Sequence, residues 1–66
     1  MSQAPTAAAE RSEAHRLLTE ARDLVAEALG AVRTGSDPQR ASAMVGRSSD
    51  RIGQALYHMR LLLQRC

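Results

Sequence analysis

The side chains able to do chemistry are few in this 66-residue chain, and their spacing assembles no catalytic group. His15 and His58 would fall at similar height in a two-helix hairpin, where two imidazoles can hold a metal or a haem, but no third ligand accompanies them. Cys66 is the only cysteine; we expect a passive thiol, with oxidative cross-linking of two copies as the alternative. No nucleophile stands near a base, and no glycine loop cradles phosphate. The sequence predicts no enzyme, no metal and no cofactor.

The turn at residues 34–38 is the element that must position every other group. Gly35 can adopt the left-handed conformation that ends a helix, Asp37 can cap the next helix, and Pro38 suits a first helical position. These signals predict a disordered tail at 1–5 and a hairpin over 6–66. Its parts are helix 1 at about 6–33, capped by Thr6, a turn at 34–37, and helix 2 at about 38–64. The predicted fold is all-α, an antiparallel helical hairpin.

Apolar residues recur every three or four positions in both helices. Folding about Ser36 should bring Val25 near Ser48 and Leu18 near Ala55, so that large residues meet small ones. The sequence assigns a self-association seam to Leu18, Ala21, Val25, Ala28, Val32, Val45, Ile52, Ala55, Met59 and Leu62.

A lone hairpin would leave one side of these apolar stripes in water. A chain of this length buries only about 60% of its unfolded surface, and a single cysteine excludes an internal disulfide. We therefore expect two hairpins to pair into a dimeric four-helix bundle, as a homodimer or higher oligomer, or one hairpin to dock on a helical protein. The predicted function is that of a non-enzymatic protein–protein interaction module or adaptor.

Charge is divided unevenly between the two helices. Helix 1 carries five acids and four arginines, whereas helix 2 carries five arginines and one acid. The simplest interpretation is that the basic helix pairs with the acidic one. A nucleic-acid-binding dimer that uses Arg40, Arg47 and Arg51 is the alternative, and it is weaker because Tyr57 is the sole aromatic side chain for base stacking.

Tyr57 and Leu61 lie one turn apart on helix 2, on the side that the sequence predicts to face away from the seam. Together with Gly53 they form a hypothetical second face for a partner protein. The chain begins without a basic and apolar leader, and it has no apolar run of membrane-spanning length, so we expect a cytoplasmic protein without a membrane partner.

The turn and the chain length resemble those of one known protein family. Residues 33–39, Arg-Thr-Gly-Ser-Asp-Pro-Gln, are similar to the turn of the small two-helix co-chaperones of type III secretion systems. Those proteins hold the chaperone of the needle subunit in a soluble complex. The resemblance implies a heterodimer in which apolar positions around Leu24, Val25, Ile52 and Leu56 dock on a helical-repeat chaperone, without catalytic residues.

Overall fold

The computed structural model describes residues 7–64 as two helices packed against each other. Helix α1 spans Ala7–Thr34 and helix α2 spans Pro38–Gln64, and the described residues include no strand. The predicted all-α helical hairpin is confirmed. The predictions for the tail at 1–5, for Thr6 as a cap and for Cys66 lie outside the described residues.

The turn owes its shape to three local features. Gly35 has a φ of 66°, and the backbone N–H groups of Gly35 and Ser36 donate to the carbonyl oxygens of Val32 and Ala31, both at 3.1 Å. This arrangement satisfies the last carbonyls of α1. Asp37 caps α2, since its Oδ1 accepts a hydrogen bond from the backbone N–H of Arg40 at 3.1 Å. The chain therefore reverses within three residues, and the two helices run antiparallel.

The helices meet along a helix–helix seam whose positions alternate three and four residues apart. On α1 the seam contains Glu10, Ala14, Leu17, Ala21, Leu24, Ala28 and Ala31. On α2 it contains Ala41, Met44, Ser48, Arg51, Ala55, His58 and Leu62. This seven-residue repeat is the pattern of helices that cross at a small angle. Its many alanines let the two backbones approach closely, because the distance between helix axes depends on the side chains at the contact.

Leu18 and Val25, which the sequence predicts to lie near Ala55 and Ser48, are not buried between the two helices. Ala55 and Ser48 are buried, but Leu18 and Val25 remain 42% and 46% exposed. Helix α1 is rotated so that Leu17 and Leu24, which immediately precede Leu18 and Val25, point into the seam. Leu17 is the largest side chain that the described residues bury completely.

Neither helix has the length and apolar character of a membrane span, among the residues that the structure describes.

Candidate interaction face

One side of the hairpin is charged, and ion pairs on this side join the two helices. Glu20 and Glu27 flank the seam on α1, and both reach arginines of α2. The Arg51 Nε donates to the Glu20 Oε1 at 2.9 Å, and an Arg40 guanidinium nitrogen lies 3.7 Å from a Glu27 carboxylate oxygen. We call this side the charged face; its members are Glu13, Glu20, Glu27, Arg40, Arg47 and Arg51. The acidic helix pairs with the basic one here, as the charge distribution indicated.

Arg16 extends the charged network along α1. Its guanidinium donates to Glu13 at 2.6 Å and to Glu20 at 2.7 Å. The hydrogen bond from Arg16 lowers the pKa of the Glu13 carboxyl below its usual value. In return, the hydrogen bonds to Glu13 and Glu20 raise the pKa of Arg16. Because Glu20 also accepts from Arg51, one carboxylate joins arginines of both helices.

The opposite side of the hairpin is apolar and open. On α1 the positions one residue beyond the seam are Leu18, Val25 and Val32, and on α2 they are Val45, Ile52 and Met59. The charged flanks of the two helices meet on one side of the seam. The flanks that carry these apolar residues therefore meet on the other side. The large apolar residues there, each 42–72% exposed, form what we call the apolar face: Leu18, Val25, Leu29, Val32, Val45, Ile52, Leu56, Met59 and Leu63.

The structure thus divides the predicted self-association seam between two places. Ala21, Ala28 and Ala55 are buried between the two helices, and Leu62 is half-buried in the same seam. The remaining six members lie on the apolar face: Leu18, Val25, Val32, Val45, Ile52 and Met59. The small residues of the predicted set hold the hairpin together, and the large ones face outward.

The three arginines predicted to contact nucleic acid lie on the charged face. Two of them are engaged within the hairpin, since Arg40 pairs with Glu27 and Arg51 with Glu20. Arg51 is half-buried, whereas Arg40 and Arg47 are exposed. Carboxylates therefore lie between these arginines and would face a phosphate backbone together with them.

The second predicted partner face is only partly exposed. Tyr57 is 61% exposed, and its ring lies edge-on to the ring of His58, with 5.3 Å between centroids. Leu61 is half-buried, because it flanks the seam on the side of the charged face. Gly53 lies on the outer edge of α2, with open space where a side chain would stand. The apolar contribution of this group is limited to Tyr57 and part of Leu61.

A polar pair, made of buried Glu10 and half-buried His58, joins the helices at the end of the hairpin that lies away from the turn. Glu10 is 5% exposed, and its Oε1 lies 2.5 Å from the Nδ1 of His58. Sequence reasoning missed both residues as members of the seam, although their positions continue its seven-residue spacing. His15 is exposed and stands apart from His58, and residues 7–64 contain no group of three or more His, Cys, Asp or Glu side chains able to hold a metal.

Every buried side-chain nitrogen or oxygen in the described part of the chain has a hydrogen-bond partner. Ser48, for example, is buried in the seam and donates to the carbonyl oxygen of Val45 at 2.7 Å. The polar groups of the seam are thus satisfied internally. Apart from Tyr57, the large apolar side chains that the described residues leave exposed all lie on one side of the hairpin.

The comparisons with known proteins add no relative. The sequence matches no protein-family model, no curated protein and no solved structure.

Proposed function

We propose that this chain is a protein–protein interaction module that supplies two helices of a four-helix bundle and is completed through its apolar face. The observation that carries the proposal is the gathering of nine large, exposed apolar side chains on one side of the hairpin. A monomer gains nothing from such a surface, because apolar area in contact with water is unfavourable at about 25 cal/mol per Å².

The size of the face supports this function. Its α2 part runs from Val45 to Leu63, about 27 Å at the helical rise of 1.5 Å per residue. Across two helices about 10 Å wide, the outline of the face is roughly 540 Å², polar positions such as Arg22 and Ser49 included. The largest apolar patch of a monomer is about 300–600 Å² and is often functional.

The spacing on α2 supports a helical partner. Val45, Ser49, Ile52, Leu56, Met59 and Leu63 alternate four and three residues apart. This is the spacing with which one helix accepts the side chains of another. A second copy of the chain is the simplest source of two further helices, and the heterodimer expected of a secretion-type co-chaperone is another arrangement of the same kind.

The test measures molar mass by light scattering, from dilute to concentrated solution, with and without a synthetic helical peptide. The peptide has Leu at the first and fourth positions of each heptad and uncharged Gln at the flanking positions. We expect the wild-type chain to self-associate or to bind the peptide. The double variant Ile52→Glu, Leu56→Glu should do neither while keeping its helical circular dichroism.

The matched control places the same two charges on the other side of α2, as Gln54→Glu with Tyr57→Glu. This control should behave as the wild type. The proposal fails if the wild-type chain is a folded monomer at every concentration and does not bind the peptide, or if the two double variants cannot be told apart.

A further inference from the structure

We infer that the partner of the apolar face is an acidic amphipathic helix of another protein, rather than a second copy of this chain. The inference rests on the proposed function and concerns the chemistry of the partner. It follows from how the charged residues are distributed around the apolar face.

The charged residues on and beside the apolar face are all arginines. Two rows of α1, each counted in steps of seven residues, contribute to this face. One row is Arg11, Leu18, Val25 and Val32, and the other is His15, Arg22 and Leu29. The outer edges of the hairpin add Arg33 on α1 and Arg60 on α2. Four of the nine arginines of the chain therefore lie on or beside this face.

No acid of residues 7–64 belongs to the same rows or edges. The seven acids of the chain lie in the helix–helix seam, on the charged side of the helices, or in the turn; they are Glu10, Glu13, Glu20, Asp23, Glu27, Asp37 and Asp50. The Arg22 guanidinium contacts the adjacent Asp23 at 3.3 Å, but both side chains are largely exposed, so the pair is weak. The net charge on and beside the apolar face is thus positive.

A second copy would meet this border with the same sign. Two such faces pressed together would surround their interface with eight arginines and no carboxylate, whichever way the copies were oriented. Like charges placed across an interface disfavour that pairing, whereas opposite charges favour it and set the register. A partner with Leu, Ile or Val in its seam and Glu or Asp on its flanks satisfies both the apolar face and its border.

The composition of the chain favours a helical partner over a lipid surface. Helices that bind at a membrane interface commonly carry Trp or Phe on their apolar side. The chain has neither residue, and its one tyrosine lies outside the apolar face. An anionic membrane remains the alternative ligand for an apolar and basic surface, and the experiment includes it.

Two synthetic helical peptides and one vesicle preparation test the inference. Both peptides have Leu at the first and fourth heptad positions; the acidic peptide has Glu at the flanking positions and the basic peptide has Lys. Binding to the full-length chain is measured by fluorescence anisotropy. We expect the acidic peptide to bind at least about tenfold more tightly than the basic one, and the difference to shrink at high salt because screening shortens the reach of charge.

The arginine variants locate the effect. Arg11→Gln with Arg22→Gln removes two charges from the rows of the apolar face, and we expect it to weaken binding of the acidic peptide about three- to tenfold. Arg40→Gln with Arg47→Gln removes two charges from the charged face and should leave affinity within about twofold. Helical circular dichroism checks that both variants fold.

Four results would overturn the inference. They are equal binding of both peptides, no loss in the Arg11 and Arg22 variant, a stable homodimer that the acidic peptide does not displace, and binding to phosphatidylserine vesicles without binding to the acidic peptide. The first three leave the proposed function in place, provided that Ile52→Glu with Leu56→Glu abolishes the association. If neither the peptides nor a second copy binds, both proposals fail.

Discussion

Leu17 and Leu18 are neighbours of the same type, and the structure gives them opposite roles. Leu17 is 2% exposed in the helix–helix seam, whereas Leu18 is 42% exposed on the apolar face. Truncating a fully buried leucine to alanine costs about 2–5 kcal/mol, because apolar contact is lost and a cavity remains. At Leu18 water can fill the vacated space and much of the side chain was already hydrated, so we expect a cost of about 1 kcal/mol or less.

The two variants should differ in whether they fold. A core of this size rarely supplies more than about 3–5 kcal/mol, so Leu17→Ala is expected to be largely unfolded at 25 °C and Leu18→Ala to stay helical. The assay is urea denaturation followed by circular dichroism, at a concentration where light scattering gives a monomer. If Leu18→Ala costs as much as Leu17→Ala in the monomer, the rotation of α1 described above is refuted.

Three further changes test the turn and the charged network. Gly35→Ala should lower the free energy of unfolding by about 1–2 kcal/mol, because the φ of 66° strains any residue with a Cβ. Gly30→Ala should raise it by up to about 1 kcal/mol, because Gly30 is helical and a Cβ there meets open space. Equal effects of the two substitutions would contradict the left-handed turn. Asp37→Ala should cost about 1 kcal/mol by removing the cap of α2, as read from its melting temperature; an unchanged melting temperature would exclude that cap. Because its hydrogen bond with Arg16 lowers the pKa of Glu13, the pair stabilises the folded state above the ordinary carboxyl range and loses this effect as the pH falls through the lowered pKa. The stability difference between wild type and Arg16→Gln, followed by circular dichroism, should therefore shrink on acidification; a difference that does not change with pH would show that the pair adds nothing.

The turn could be predicted from the sequence because its signals are local. Gly35, Asp37 and Pro38 each act within a few residues of their own position, through φ, a capping oxygen and a missing N–H. Tertiary contacts are not needed to interpret them.

The rotation of the helices could not be predicted in the same way. Each helix carries two stripes with the same seven-residue period, offset by one residue, as at Leu17 and Leu18 or at Arg51 and Ile52. Hydrophobicity alone favours the stripe with the larger side chains, and that choice placed Leu18 and Val25 between the two helices, where the structure has Leu17 and Leu24. The other stripe contains Arg51 and the pair of Glu10 and His58, which read as surface residues when each helix is considered alone.

The polar and charged pairs between the two helices are the signal that identifies the rotation. With the alanine-rich stripes facing each other, Glu10 contacts His58 and Glu20 contacts Arg51 across the hairpin. The apolar face then follows by elimination. The partner of the apolar face cannot be inferred from the same contacts, because the residues of that face do not pair across the hairpin.

The separation of the two stripes means that stability and recognition are encoded in different residues. Substitutions in the alanine-rich seam must be matched on the opposing helix of the same chain, whereas those on the apolar face can be matched only by the molecule that covers it. Among related proteins, the seam should therefore co-vary internally and the apolar face should co-vary with the partner. The same division makes the hairpin a scaffold on which binding specificity can be redesigned without rebuilding the fold.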